Sequence, residues 1–403
     1  MLPSIHDLFG HERIRAARAH IERSDEVTLA RQAVLSAIPA PTGAEAARGA
    51  RVAEFFHEIG LANVKIDDVG NVRAWHGQQT GDGDCVVLSA HLDTVFGPEL
   101  DVSVARRGPR LEGPGIADNA RGLAALVTIG EALVRAQVGM RRPILLAATV
   151  GEEGSGDLRG VRHLLGPSGR PTVRPSAFIA LDGAGIERIV HRALGARRYR
   201  VTYSGPGGHS WAAFGVANPA NAVGRAIDQI ASIPTHRGPR TAHSVVRLGG
   251  GTSLNSIPQV AWFEVDLRSE DPRSLQRIDE MLQTLVADAR DEENRHRLPG
   301  TAPLTMEIQR VGDRPSGLTP RSHPLVQTAV AATRAVGHEH QLACASTDAN
   351  IPIALGVPAV ALGAGGRAGD AHLPTEWYEN DKGALGIVRA LLVTAAMAEA
   401  RAA

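Results

Sequence analysis

Five short segments of this 403-residue chain set imidazoles and carboxylates where they could meet a common reactant. The apolar run 85–90 opens into His91-Leu92-Asp93-Thr94, and the two-residue period of an extended chain puts His91 and Asp93 on one side. Gly113-Pro114-Gly115-Ile116-Ala117-Asp118-Asn119 holds a carboxylate in a glycine-bracketed turn ahead of a helical pattern. The run 144–150 empties into Gly151-Glu152-Glu153-Gly154, the run 177–181 ends at Asp182, and Gly369-Asp370-Ala371-His372 follows the last apolar run. Two imidazoles and three carboxylates make a donor set for two borderline divalent cations with one carboxylate bridging, as in two-metal hydrolytic sites about 3.5–4 Å across. Carboxylates at that density otherwise repel one another.

These segments meet only if strands deliver them to one rim, since the crevice of an open α/β sheet lies at the carboxyl ends of its strands. Apolar spacing predicts helices over 27–38 and 44–59, broken by Pro39, Pro41 and Gly43. Strands are predicted at 64–67, 71–75, 85–90 and 144–150, with a helix over 122–136, and then a strand at 177–181. This alternation implies an α/β/α sandwich around a mixed sheet. The pattern then becomes strand 197–203, helix 219–233, strands 243–248 and 259–267, helix 274–290 and strand 304–309, a βαββαβ order that reads as an inserted ferredoxin-like α+β domain. The first domain resumes with a helix at 324–336, a strand at 359–362 and a helix from Lys382. The expected division is 1–190, 191–312 and 313–403.

Composition narrows the classes. Apolar residues at 43% and charged residues at 21% fit a globular chain and exclude disorder or a disulfide scaffold. Lys+Arg and Asp+Glu both number 43, so no basic field invites nucleic acid. Cys85 and Cys344 lack CxxC spacing and read as free thiols in a reducing compartment. The first residues carry no apolar export segment, and no apolar run approaches the roughly 18–20 residues of a membrane helix. A cytoplasmic protein with no membrane partner is the expectation.

Taken in order, Ser89-Ala90-His91-Leu92-Asp93-Thr94-Val95, Gly113 to Asn119, Gly151-Glu152-Glu153-Gly154, Leu181-Asp182-Gly183 and Gly208-His209-Ser210 resemble the M20 family of metallopeptidases over nearly the whole chain. That family includes peptidase T, carboxypeptidase G and aminoacylase. The resemblance implies two divalent cations, zinc first and cobalt or manganese as alternatives. One would be held by His91 and Asp182, the other by Glu153 and His372, with Asp118 bridging. It implies Glu152 as general base, a role that suits a carboxylate beside an acidic water. Asp93 is read as the acceptor for the second ring N–H of His91. The inserted domain would be a lid and the contact through which two chains pair. There His209 would stabilise the oxyanion, often in a neighbouring subunit's site, while Asn255 and Arg268 would hold the substrate's carboxylate or backbone, a task that suits a guanidinium. The turn after Asp118 departs from the family in reading Asn119-Ala120-Arg121-Gly122, where many members have a lysine and glycines. In the family, aspartate at the position of Asp182 accompanies aminopeptidases, which points to a peptidase T-like enzyme acting on small peptides. An N-acyl amino acid amidohydrolase or carboxypeptidase is the alternative.

Blander readings exist for each feature. Lone histidines such as His57, His163, His243 and His338 read as surface or structural residues, and His338-Glu339-His340 lacks HExxH spacing. Asp93 could form a turn, Glu152 could pair with an arginine, and Arg268 could make a plain surface ion pair. Gly208-His209-Ser210-Trp211-Ala212 approaches a serine-hydrolase elbow, with Asp348 and His372 following in order, and a metal-free enzyme would use Ser210. A non-catalytic binding scaffold is the remaining alternative.

Overall fold

A computed structural model describes residues 2–78, 84–166, 173–234 and 238–400. The chain divides into two compact units, one made of Met1–Ala193 with Leu318–Ala403 and the other of Leu194–Gly317. The strand Thr305–Arg314 carries the second unit past residue 312.

The first unit is built on a mixed sheet. Its strands run in the order Ala62–Ile66, Val72–His76, Ile144–Thr149, Cys85–His91, Pro175–Leu181, Ala359–Leu362 and Arg188–Ala193, with Gln341–Ala345 beside the last. Four neighbours, Ile144–Thr149 through Ala359–Leu362, are mutually parallel. Every residue of Cys85–His91 and Ile144–Thr149 is buried, because parallel strands are covered on both faces and need apolar residues throughout. Val86, Leu88 and Ala90 pack on one side with Leu123 and Leu126 of the helix Ala120–Arg135 and Leu391 of Gly383–Met397. Cys85 and Val87 pack on the other side with Val161 and Leu164 of Arg159–Leu165 and with Ile351 of Asn350–Ala354. These are the three layers of an α/β/α sandwich.

Several features were not legible in the sequence, among them the strands Arg188–Ala193 and Gln341–Ala345 and the short helices Arg159–Leu165 and Asn350–Ala354. Helices Ile5–Gly10 and Glu12–Arg23 precede the first predicted one, and Ile14, Ala17 and Ile21 join the main core. A small antiparallel sheet, in the order Arg367–Gly369, Trp377–Glu379, Arg110–Glu112 and Ala105–Arg107, lies outside the main one. Its strands are three residues each, too short for alternation to register. It matters because Arg110–Glu112 leads into the Asp118 turn and His372 lies between the first two strands.

The second unit is an antiparallel sheet in the order Thr241–Gly250, Val260–Ser269, Gly195–Ser204 and Thr305–Arg314. Helices Pro219–Ala231 and Pro272–His296 each start with proline behind a capping side chain, Asn218 and Asp271. Ala222, Ala226 and Ile230 of one helix and Leu275, Leu282 and Val286 of the other cover Val201, Tyr203, Phe263 and Val265. With the chain order βαββαβ this is the ferredoxin-like arrangement. No described helix is long and apolar enough to cross a membrane.

Candidate metal centre

The first unit brings the strand-end residues together. His91 closes its strand, Glu152 and Glu153 follow Ile144–Thr149, and Asp182 follows Pro175–Leu181. These three strands are adjacent and parallel, so their carboxyl ends share one rim. Asp118 arrives from the turn before Ala120–Arg135, and His372 from the small sheet.

His91, Asp118 and Glu153 each offer a ligand atom within 4.8 Å of the others. His91 Nε2 lies 3.0 Å from Asp118 Oδ1, while His372 Nε2 lies 3.3 Å from Asp118 Oδ2 and 3.0 Å from Glu153 Oε1. Asp118 therefore faces one imidazole with each oxygen. Burial pushes the Asp182 carboxyl up to about 7, and the negative charges of Asp118 and Glu153 add to the push. Hydrogen bonds to Asp118 and Glu153 raise His372 to about 10. Two imidazoles and three crowded carboxylates fit a divalent cation's donor preferences, and such a charge relieves repulsion that the side chains alone leave in place.

Glu152 and Glu153 are both buried. Glu153 turns to His372, whereas the charge of Glu152 is felt at His91. Asp93 lies against the ring of His91, and the main chain of residue 93 makes the shorter contact. The ring Nδ1 of His91 is 3.1 Å from the main-chain carbonyl of Asp93, and 3.6 Å from its Oδ1. The carboxylate is occupied elsewhere, because Oδ1 accepts the N–H of Glu152 and Oδ2 that of Glu153, both at 2.9 Å, and Thr42 donates its hydroxyl to Oδ2 at 2.8 Å. Residue 93 orients the histidine through its backbone and the two glutamates through its side chain.

Four other buried polar side chains hold the loops, and sequence reasoning gave them no role. Glu45 accepts the N–H of Gly151 at 3.1 Å and pairs with Arg159 at 2.6 Å. Asn71 accepts the N–H of Val150 at 3.0 Å. Asn119 caps its helix through the N–H of Gly122, accepts that of Gly183 at 3.2 Å and donates to the Leu181 carbonyl at 2.8 Å, joining the Asp118 and Asp182 loops. The peptide between Asp118 and Asn119 is cis. Added at Gly122, a Cβ would lie 2.7 Å from the Leu181 carbonyl, so only glycine allows this approach. Glu376 is fully buried and accepts three N–H groups of the Asp118 loop. Arg121, the departure from the family pattern, is buried with Nε on the Ala364 carbonyl at 2.9 Å and serves packing.

The remaining predicted residues belong to the second unit. His209 is exposed on the two-residue strand Gly208–His209, paired with Ser256–Ile257. Its Nδ1 accepts the N–H of Trp211 at 3.2 Å, which leaves the proton on Nε2. Asn255 is held beside it, since its carbonyl accepts the N–H of Ser210 at 2.8 Å. Arg268 pairs with Asp266 at 2.8 Å and lies at the far end of Val260–Ser269. A ten-residue strand spans roughly 30 Å. Asn255 precedes this strand and Arg268 lies near its end. The serine-hydrolase elbow does not form, because Ser210 follows the two-residue strand Gly208–His209, paired with Ser256–Ile257, and not a strand of the main sheet that runs into a helix.

An α/β/α sandwich with imidazoles and carboxylates at one rim is an arrangement suited to a metal-dependent hydrolase. The model of peptidase family M20/M25/M40 matches residues 87–398, and the chain belongs to that family: it is a metallohydrolase of peptide or amide bonds. Among solved structures it is similar to the aminopeptidase PepT from Bacillus cereus, at 19% identity over 93% of this chain and 98% of that one, with a TM-score of 0.71. It is similar to a hydantoinase/carbamoylase family amidase from Burkholderia vietnamiensis, at 18% identity, 94% and 97% coverage and a TM-score of 0.68. It is also similar to YXEP from Bacillus subtilis, described as a dinuclear metal binding peptidase, at 15% identity, 96% and 99% coverage and a TM-score of 0.65. A comparison with curated proteins finds no match.

Proposed function

We propose that this protein is a dinuclear metallopeptidase that removes the N-terminal residue of small peptides in the manner of peptidase T. The observation that carries the reading is the facing of His91 and His372 by the two oxygens of Asp118. In this assignment His91 and Asp182 would hold one cation and Glu153 and His372 the other, with Asp118 serving both. Two such ions, zinc by preference and cobalt or manganese in its place, would when bound polarise a carbonyl and acidify a water. Glu152 is the residue that would take a proton from the attacking water and return it to the leaving amine. The N–H of Glu152 and that of Glu153 on the two oxygens of Asp93 keep base and ligand in fixed relation. His209, protonated on Nε2, donates to the oxygen that gains charge in the tetrahedral state.

The separation of Asn255 and Arg268 supports a working unit of two chains, in which His209 and Asn255 serve the partner's site and Arg268 serves another. Thr241–Gly250 is an edge strand with Val246 and Leu248 more than half exposed, and Trp211, Phe214 and Leu254 stand out beside His209. Unpaired edges and apolar patches of this kind mark contact surfaces. The cytoplasm is the compartment proposed, on the free thiols of Cys85 and Cys344.

A second reading, an N-acyl or carbamoyl amino acid amidohydrolase, is favoured by the amidase of similar fold. Turnover of di- and tripeptides against N-acyl amino acids, with zinc, cobalt or manganese added, tests both. Free N-terminal peptides as the preferred substrates support the first reading, and acylated amino acids as preferred substrates overturn it.

A further inference from the structure

We propose that Glu376 is a positioning residue that locks the Asp118 loop to the His372 loop, so that the second cation's site depends on a carboxylate that touches neither cation. The inference rests on the ligand assignment proposed above and adds to it a residue outside the donor set.

Glu376 follows His372 by four residues and is fully buried. Its Oε1 accepts the N–H of Ala117 and that of Asp118, both at 2.8 Å, and its Oε2 accepts that of Gly115 at 2.9 Å. Its main chain completes the tie. The carbonyl accepts the N–H of Gly113 at 2.9 Å, and its own N–H donates to Leu373 at 3.0 Å. Successive N–H groups converging on one carboxylate form an anion-binding concavity, and their bonds are charge-assisted. Elsewhere the Asp118 loop is held through its carbonyls, that of Ile116 accepting from Gln32 at 2.8 Å and that of Pro114 from Ser36 at 3.0 Å, and through the side chain of Asn119, whereas its N–H groups at 115, 117 and 118 are held by Glu376. Between Arg110–Glu112 and Ala120–Arg135 its internal main-chain bonds are Ile116 to Gly113 at 3.2 Å and Ala120 to Gly115 at 3.1 Å.

The other end of the tie is just as dependent. His372 has φ of 68° and Asp370 φ of 58°, a region that side chains with a Cβ adopt only where the surroundings impose it. The adjoining pairing of Trp377 with Glu112 and Tyr378 with Leu111 fixes how far Glu376 reaches. The first cation's side is built differently. His91 is the last residue of a buried strand, with its ring on the Asp93 carbonyl, and Asp182 donates its N–H to Leu362 at 2.9 Å. None of these bonds involves Glu376. Loss of its carboxylate should loosen Asp118 and His372 together; with His91 and Asp182 in place, the first cation's side would lose only its share of Asp118, whereas the second would lose the hold on two of its three ligands.

The test uses the full chain, stripped by chelation and titrated with Co²⁺, with bound metal measured by equilibrium dialysis and elemental analysis and the ligand field by visible absorption. His372→Ala serves as the benchmark for loss of the second ion. In Glu376→Ala the second equivalent should bind about 10- to 100-fold more weakly, the usual effect of removing an outer partner, and the first should weaken clearly less, since only Asp118 is shared with it. Glu376→Gln should fall between, because its one carbonyl oxygen can still serve Ala117 and Asp118 while its amide confronts the N–H of Gly115. Circular dichroism of the stripped variants checks the fold. If Glu376→Ala does not fold, the second affinity of Glu376→Gln decides. Two equivalents bound with wild-type affinities, or both weakened equally, overturn the proposal. One equivalent bound by the wild-type chain overturns the two-cation reading itself, a result the variants do not enter.

Discussion

Replacing Asp93 by asparagine separates the two roles that residue 93 could have. In the structure its carboxylate is wholly buried and accepts two main-chain N–H groups and a hydroxyl. Burial raises its pKa, but the charge and proximity of His91, the N–H of Glu153 and the Thr42 hydroxyl outweigh this and hold it at about 2, against an ordinary 3.8. At roughly 1.4 kcal/mol per pH unit, that depression contributes about 2–3 kcal/mol to the metal-free protein. The folded-state pKa is the lower one, so the contribution is complete above pH of about 4 and disappears as the pH falls toward 2. Counting bonds gives a similar figure. Asparagine keeps one acceptor for two N–H groups, and an orphaned buried N–H costs about 1–3 kcal/mol. Denaturant unfolding of chelated wild type and Asp93→Asn should differ by about 2–3 kcal/mol at pH 7, by about half of that near pH 3, and converge as the pH falls to about 2. The tautomer of His91, read by ¹⁵N NMR, should not change, since any residue at 93 supplies the carbonyl it bonds. A stability difference below about 0.5 kcal/mol, or one independent of pH, refutes the electrostatic argument. A changed tautomer restores the carboxylate-to-ring reading.

Glu152→Gln should lower kcat by about 10²–10⁴-fold with bound metal unchanged, and metal loss in that variant means that Glu152 and Glu153 have exchanged roles. Strong chelation should abolish turnover and added Zn²⁺, Co²⁺ or Mn²⁺ restore it, while Ser210→Ala keeps wild-type kcat; the opposite pair of results reinstates the serine mechanism. Leu248→Lys on the exposed edge strand should shift sedimentation toward a single chain and lower kcat with it, because His209 then has no partner site. An active monomer contradicts the two-chain arrangement.

Much of this site was visible because its donors lie where local signals are strong. The apolar runs that end at His91, Thr149 and Leu181 are parallel interior strands, and such strands are unbroken apolar stretches wherever they occur. The side chains that aim those donors were hidden for a different reason. Glu376 lies 258 residues from the Asp118 N–H that it accepts, and Glu45 lies 106 from Gly151. Neither neighbourhood carries a pattern that marks a buried acceptor. Asn119 stood in plain view beside Asp118, but its contact with Gly183 depends on two loops from different strands. The strands that carry His372 toward Asp118 are too short to show a period, so their existence rests on pairing alone.

The two classes of residue answer to different physics. The donors crowd charge against charge. Burial and Asp118 push Asp182 up to about 7, and His91 is driven well above its usual range because Asp118 and Asp93 overcome its burial. A folded chain tolerates that crowding only if the side chains cannot swing apart, and swinging apart would first require their loops to move. Asp93, Asn119, Glu45 and Glu376 oppose that motion by holding main-chain N–H groups of those loops, not the donors themselves. Because such bonds do not compete for the donors' lone pairs, the loops stay rigid while the donor oxygens remain free for a cation.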